Sequence, residues 1–450
     1  MRHLLTQPRA VAFAAGLLLS GCTATASVTP SGQEPPVSTA AAPSPAVSAP
    51  VEGGLSVDQA VRLALLNNPS LRALYYRSSL SEAAMTEAIV AAEARKSGEP
   101  VDQERRFIMA ATIPLAQPMA SEVDRRKADR LRVEVAGEML QTANAVRRSW
   151  IAAVAAAENA RYLERALMSA EAGTELARRM VRVGNWPRLN ELRERAFQGE
   201  VAAQLARARQ AAIAERETLT KLLGLWGNEA NYSLPNRLPD LPASPVTMPN
   251  IEELALRQRL DLQASRLSIF AEAREFVLDG YAQGELFGFR RGEVTLSEAD
   301  YFADGAPSRD IRVPMFDRQQ ARRDPKLLPY VQSIDRYGEL AVTVRSEARQ
   351  AYLGYRTAYD VARHYRDTII PLRKEISEEN LLRYNGMLIS VFELLADARE
   401  QITSVTNYIE AQREFWTAET ELRLALTVGG SNGGSGRTVR LPGGSAAAGH

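Results

Sequence analysis

The sequence predicts a mainly α protein built from tandem-duplicated long α-helical hairpins, with a short portion of β character. Three observations predict it. Between Pro118 and Val183 no further proline occurs, and only Gly137 and Gly173 interrupt strong helix formers. At 1.5 Å per residue that run makes a rod of roughly 100 Å, which no compact globule needs. Apolar residues step along it at Val135, Met139, Ala143, Val146, Trp150, Val154 and Ala157, the 4-4-3 spacing of near-straight helix packing. The chain also repeats itself: Ile113 matches Val313, Val146 matches Ala348, and Gly184 matches Gly386, each about 200 residues on, with a looser match of Asn68 to Arg259.

From the amino terminus, residues 1–21 read as a secretory signal, with Arg2 and Arg9 ahead of an apolar run too short for a stable membrane span. Its ending, Leu19-Ser20-Gly21-Cys22, resembles the bacterial lipobox, which makes Cys22 the expected lipidation site and first mature residue. Residues 22–54, rich in Ala, Pro and Ser, form a tether that cannot bury a core. The first repeat, 55–227, starts with a short helix capped by Ser56 and stopped at Pro69, and a second helix begins near Ser70. The long helix then breaks at Gly184 and returns. Residues 228–249 form an extended linker, since Pro235, Pro239 and Pro242 forbid helix. The second repeat, 250–428, has the same order and breaks at Gly386, with a heptad stripe from Val391 through Leu395, Ala398, Ile402 and Val405 to Ile409. Residues 429–450 are a Gly/Ser-rich flexible tail. Strand signals are confined to the stretch after Arg106 and to 281–316.

Both glycine breaks read as reversals in which glycine takes positive φ at low cost. On that reading a β-branched residue at Gly386 strains the turn, and Pro187 sits in the first turn of the returning helix. Trp186 is expected to be exposed beside the turn, whereas Trp150 and Trp416 fall on apolar stripes and belong to the core.

Composition excludes several functions. With 55 Lys+Arg against 54 Asp+Glu the net charge is +1, which leaves no electrostatic footprint for nucleic acid. The single cysteine excludes an intrachain disulfide framework. Of the three histidines only His364 lies inside the folded region, and no zinc-protease, serine-hydrolase or nucleotide-binding motif occurs. Glu191, Glu194 and Glu200, beside Arg193, Arg195 and Arg207, read as a solvated ion-pair face. No catalytic, cofactor-binding or metal-binding residue is assigned.

In order and duplicated, "LSVDQAVRLALLNNPSLRA", "VGNWPRLNELRERA", "LTKLLGLWG", "VPMFDRQQAR" and "LLRYNGMLISVFELLADAREQ" resemble the TolC-type outer-membrane efflux factor family, in its outer-membrane lipoprotein branch. The resemblance spans nearly all of Leu55 to Val428. It implies a homotrimer whose hairpins form a shared α-barrel through the periplasm, with a short or reduced β-barrel in the outer membrane. Such a trimer is a passive conduit for small molecules or ions, served by a periplasmic adaptor and an inner-membrane pump. The adaptor then docks at the hairpin tips, at Gly184, Asn185, Trp186, Leu189, Asn385, Gly386, Met387 and Val391. The strand segments depart from the pattern, since "FGFRRGEV" carries adjacent arginines. A lipid-attached adaptor or envelope scaffold without a conducting pore is the alternative.

Overall fold

The computed structural model describes residues 54–77, 122–278 and 328–429. The chain divides into two units, Met1–Ala46, which lies outside the described residues, and Val47–His450, which holds every described element. Cys22, most of the tether and both stretches of strand character lie outside the described residues.

A short helix, α1 (Val57–Asn67), opens the first repeat. Its Ser56 cap is reciprocal: the Gln59 amide donates to Ser56 Oγ at 3.3 Å, and the Ser56 amide donates to Gln59 Oε1 at 2.9 Å. Asn68 then takes extended backbone and joins α1 to α2 (Pro69–Arg77). The long rod α3 (Glu122–Arg182) runs unbroken for 61 residues, about 90 Å, and α4 (Arg188–Leu223) returns along it. A 3-10 turn at Gly227–Ala230 leads into the extended linker. The second repeat repeats the layout: α5 (Ile251–Gln258), a joint at Arg259, α6 (Leu260–Leu278), then the rod α7 (Leu328–His364). That rod passes through a π-turn (Tyr365–Ile369) into α8 (Ile370–Asn385), and α9 (Val391–Thr427) returns. None of the described helices is long and apolar enough to cross a membrane.

The joints show how deep the duplication runs. Asn68 and Arg259 are both buried polar residues with ψ near 120° between two short helices. Asn68 donates from Nδ2 to the Leu222 carbonyl at 3.0 Å and accepts from the Ser70 amide at 3.0 Å. Arg259 donates to Asp261 at 3.0 Å, to Glu347 and to the Ala425 carbonyl. In each repeat a glycine at positive φ, Gly224 (φ 68°) or Gly429 (φ 101°), follows the last rod and packs on that joint. Either position would be blocked by a side chain, because the joint's atoms already occupy the space of a Cβ.

Besides a main-chain bond from the Leu55 amide to the Ser233 carbonyl at 2.8 Å, helix side chains satisfy the linker's backbone. The Leu238 amide donates to Glu158 at 3.1 Å, Trp416 Nε1 donates to the Pro239 carbonyl at 3.1 Å, and Tyr359 donates to the Ala243 carbonyl at 2.9 Å. Trp416 is therefore half-buried, packed against both apolar clusters and the linker.

Two main clusters hold the upper part. Around Trp150, whose Nε1 donates to the Leu55 carbonyl at 2.8 Å, pack α1, α3 and the end of α4. Around Phe415 gather Tyr355, Tyr359 and Trp416, with ring centroids 5.5, 5.7 and 5.0 Å away. Below these the rods stand in a row. α3 lies between α4 and α9, and α9 between α3 and α7–α8. The α3 stripe is buried from Val135 to Val154, while in α9 only Val391 and Ile409 of the heptad are buried and the residues between are half-covered. The two outer rods, α4 and α7–α8, make no extended contact with each other.

Candidate docking tips

At the first tip α3 closes with bonds from the Gly184 amide to the Val181 carbonyl (3.0 Å) and from the Asn185 amide to the Met180 carbonyl (2.9 Å). Gly184 has φ 78°. Pro187 is the cap, at φ −66° and ψ 143°, one residue outside the helix rather than in its first turn. The second tip has the same bonds, from the Met387 amide to the Tyr384 carbonyl (2.9 Å) and from the Leu388 amide to the Arg383 carbonyl (2.8 Å). Here, however, the positive φ of 57° falls on Met387, and Gly386 has φ −78°. The expectation of a strained Gly386 is thus corrected: a Cβ there meets only ordinary contacts, the nearest being the Leu382 carbonyl oxygen at 3.5 Å.

The physical reason lies one helix back. Trp150 and Tyr352 do the same job 202 residues apart, each holding the segment that leads into its own repeat's first short helix, through Leu55 and Met248. Gly184 and Met387 also do the same job, but 203 apart. Between these two landmarks stands the π-turn, in which the Ile370 amide bonds back to the Tyr365 carbonyl. A π-turn is how a helix absorbs one extra residue, and Pro371, without an N–H, follows it. Asp367 within the turn, hydrogen-bonded by Arg366 and then by Arg363, is held down to about 2 and so stays charged at neutral pH. The insertion moves the left-handed position from glycine onto Met387. Since that conformation costs an L residue roughly 1–2 kcal/mol, Met387→Gly is expected to raise stability by about 1 kcal/mol. Thermal melting followed by circular dichroism checks this; an unchanged or lowered midpoint refutes the strain.

The sequence-derived tip residues divide by exposure. Gly184, Asn185, Leu189, Asn385, Gly386 and Met387 are exposed, with Met387 at 93%. Trp186 is half-buried rather than exposed, and Val391 is buried at the start of α9. Sequence reasoning missed Leu381, Leu382 and Leu388, all exposed apolar residues at the second tip. The signal for Leu381 and Leu382 was a pair of leucines shortly before the Asn-Gly.

A short way up from the tips, Glu194 is buried, with its side chain 2% exposed and its Oε1 2.5 Å from Arg399 Nη2. This corrects the solvated reading of Glu194; Glu191 is half-covered and Glu200 exposed. The pair joins α4 to α9 across α3. Gly173 lies against this pair: a Cβ there would press on Leu395 Cδ2 at 3.1 Å and meet Glu194 Oε2 at an ordinary 3.8 Å. The Arg399 guanidinium also stands 4.6 Å over the Phe197 ring, and Arg193 stands 5.9 Å over Phe392. Cross-hairpin contacts of both kinds thus fasten the lower ends together. Among the described residues no group of His, Cys, Asp and Glu could hold a metal ion, and His364 is exposed.

No protein-family model matches the chain, and no curated protein matches it in sequence. Solved structures do match in fold. CusC, whose crystal structures address folding and transmembrane channel formation, aligns at 15% identity over 85% of this chain and 95% of its own, with a TM-score of 0.56. The outer-membrane channel OprN aligns at 18% over 83% of this chain and 90% of its own, with a TM-score of 0.53. The outer membrane protein VceC from Vibrio cholerae aligns at 14% over 83% and 96%, with a TM-score of 0.54. With its duplicated hairpins and row of rods, the chain has the fold of the TolC-type outer-membrane efflux channels.

Proposed function

We propose that this protein is the outer-membrane channel component of a tripartite efflux system, a passive homotrimeric conduit for small molecules or ions. One observation carries the proposal: the four rods stand in a row whose outer members keep large apolar side chains in the open. Leu189, Leu192 and Ile213 on α4, and Val342, Leu353, Val361, Leu372, Leu381 and Leu382 on α7–α8, are exposed; of the inner rods, α9 exposes no large hydrophobic residue and α3 exposes Met168 and Leu176. Two unlike edges on one chain favour head-to-tail association, which closes into a ring when the rotation allows. The fold shared with outer-membrane channels supports the same reading. Within it, the lipid on Cys22 attaches the assembly to the outer membrane, and the exposed tip residues meet a periplasmic adaptor coupled to an inner-membrane pump. Detergent-purified protein incorporated into planar bilayers is expected to give stepwise conductance, and light scattering is expected to give the trimer mass. Membrane-bound protein without conductance would overturn the conduit in favour of an envelope scaffold.

A further inference from the structure

Two side chains one turn apart grip the start of the linker on α3. The Leu238 amide donates to Glu158 at 3.1 Å, and Arg161 donates to the Asn236 carbonyl. Both grips recur on α7. Glu158-Asn159-Ala160-Arg161 matches Asp360-Val361-Ala362-Arg363, 202 residues on, and Ala160 and Ala362 are both buried. The interval is the one that relates Trp150 to Tyr352. On α7, however, the carboxylate holds nothing. Asp360 is exposed and makes no hydrogen bond or ion pair with another described residue, while Arg363 donates to Asp367 through Nε at 3.2 Å. The linker itself leaves Asp360 free. Its second half is held on an adjoining face of α7, by Tyr359 at Ala243, Tyr355 at Val246 and Tyr352 at Met248, and Asp360 stands about 100° round the helix from Tyr359.

The segment that fills the grip in the first repeat also recurs. Asn236-Arg237-Leu238-Pro239 follows the end of α4, and Val439-Arg440-Leu441-Pro442 follows the end of α9, 203 residues on. Each segment leaves a joint through a glycine at positive φ, Gly224 or Gly429. The second joint is already tied to α7, since Arg259 donates to Glu347. The reach is right as well. α9 rises 37 residues from its tip, and Asp360 lies 25 residues before the end of α8, so the end of α9 stands about 18 Å above Asp360. With neighbouring rods about 8–10 Å apart, the gap is about 20 Å. Leu441 is 12 residues beyond Gly429, and Gly430 to Gly436 contains only Gly, Ser and Asn; a flexible chain of that length spans about 19 Å. We infer that residues 437–442 dock across α7 of their own chain, with the Leu441 amide donating to Asp360 and Arg363 donating to the Val439 carbonyl. The occupant is this carboxy-terminal segment because it starts beside α7, has the length to reach Asp360, and carries the linker's Arg-Leu-Pro at the linker's place in the repeat. The inference is independent of the conduit reading.

Hydrogen exchange read by mass spectrometry on the full-length, detergent-purified protein tests it. In the wild type the amides of residues 438–441 are expected to exchange at least about tenfold more slowly than in a free peptide of the same sequence. Asp360→Ala, at an exposed position, is expected to return them to the free rate while the thermal midpoint stays unchanged. Glu375→Ala, equally exposed but on α8, is expected to leave them protected. A photoreactive benzoylphenylalanine in place of Thr438 is expected to link to the α7 peptide that contains Asp360, and the linked chain is expected to keep monomer mobility on a denaturing gel. Free-rate exchange in the wild type overturns the inference, and so does protection that survives Asp360→Ala or is lost equally in Glu375→Ala. A photolinked dimer overturns the seat on the segment's own chain. None of these readouts depends on conductance, so the two readings fail separately.

Discussion

Replacing Gly224 by valine is expected to cost about 3 kcal/mol of stability. Two independent effects add at this position. Its φ of 68° lies in the left-handed region, where a β-branched residue is strained by roughly 1–2 kcal/mol. Its Cβ would lie 2.5 Å from the Asn67 carbonyl oxygen and 2.9 Å from the Asn67 carbonyl carbon, so backbone on both sides must shift. The shift pulls Asn68 from its hydrogen bond to Leu222 and loosens the seat of α1 and α2. Gly199, mid-helix with nothing within 4 Å of a Cβ, is the control. Gly199→Ala should stabilise by about 0.5–1 kcal/mol, through helix propensity alone. Urea midpoints from circular dichroism separate the two substitutions by sign. A valine at Gly224 as stable as the wild type would show that the joint is loosely packed.

Removing the cation above the tips is the second large effect. Arg399→Leu leaves Glu194 almost fully buried beside Gly173 with no partner charge. Breaking a buried pair from one side costs about 3–5 kcal/mol, and the lower end applies here because Arg399 is itself 28% exposed. The variant with Glu194→Leu as well is expected to recover most of that loss, since an apolar pair of similar volume replaces the charges. Urea midpoints of the two singles and the double give the coupling. If the double variant is no more stable than Arg399→Leu, then the Phe197 contact, not the uncompensated carboxylate, dominates.

Much of this fold was legible from the residues alone. A long run without proline, apolar stepping and a chain that matches itself some 200 residues on can be satisfied only by paired rods. The two reversals, the proline-rich linker and the helix stop at Asn68 before Pro69 were visible for the same reason: each rests on local backbone chemistry, such as a cap, a missing N–H or a positive φ, that one or two residue types supply. The tips were legible only in outline. Aligning Gly386 with Gly184 placed the left-handed residue one position early, because nothing in "HYRDTIIP" announces that its turn takes up an additional residue. Only the hydrogen-bond ladder of the folded helix counts that residue and moves the strain to Met387.

Glu194 shows the other limit of local reading. Among alternating Glu and Arg its sequence context is that of a solvated face, and for Glu191 and Glu200 that context is a fair guide. Its burial comes from residues about 20 positions before it and 200 after it: Thr174 on α3 donates to its carbonyl, and Arg399 reaches in from α9. The sequence by itself determined the rods, their reversals and their duplication, since these follow from short-range propensity and periodicity. Which charges lie inside, which leucines stay uncovered and which rods form the edges were decided only in the tertiary structure. Those properties belong to pairs of residues far apart in the chain, and no local pattern carries them.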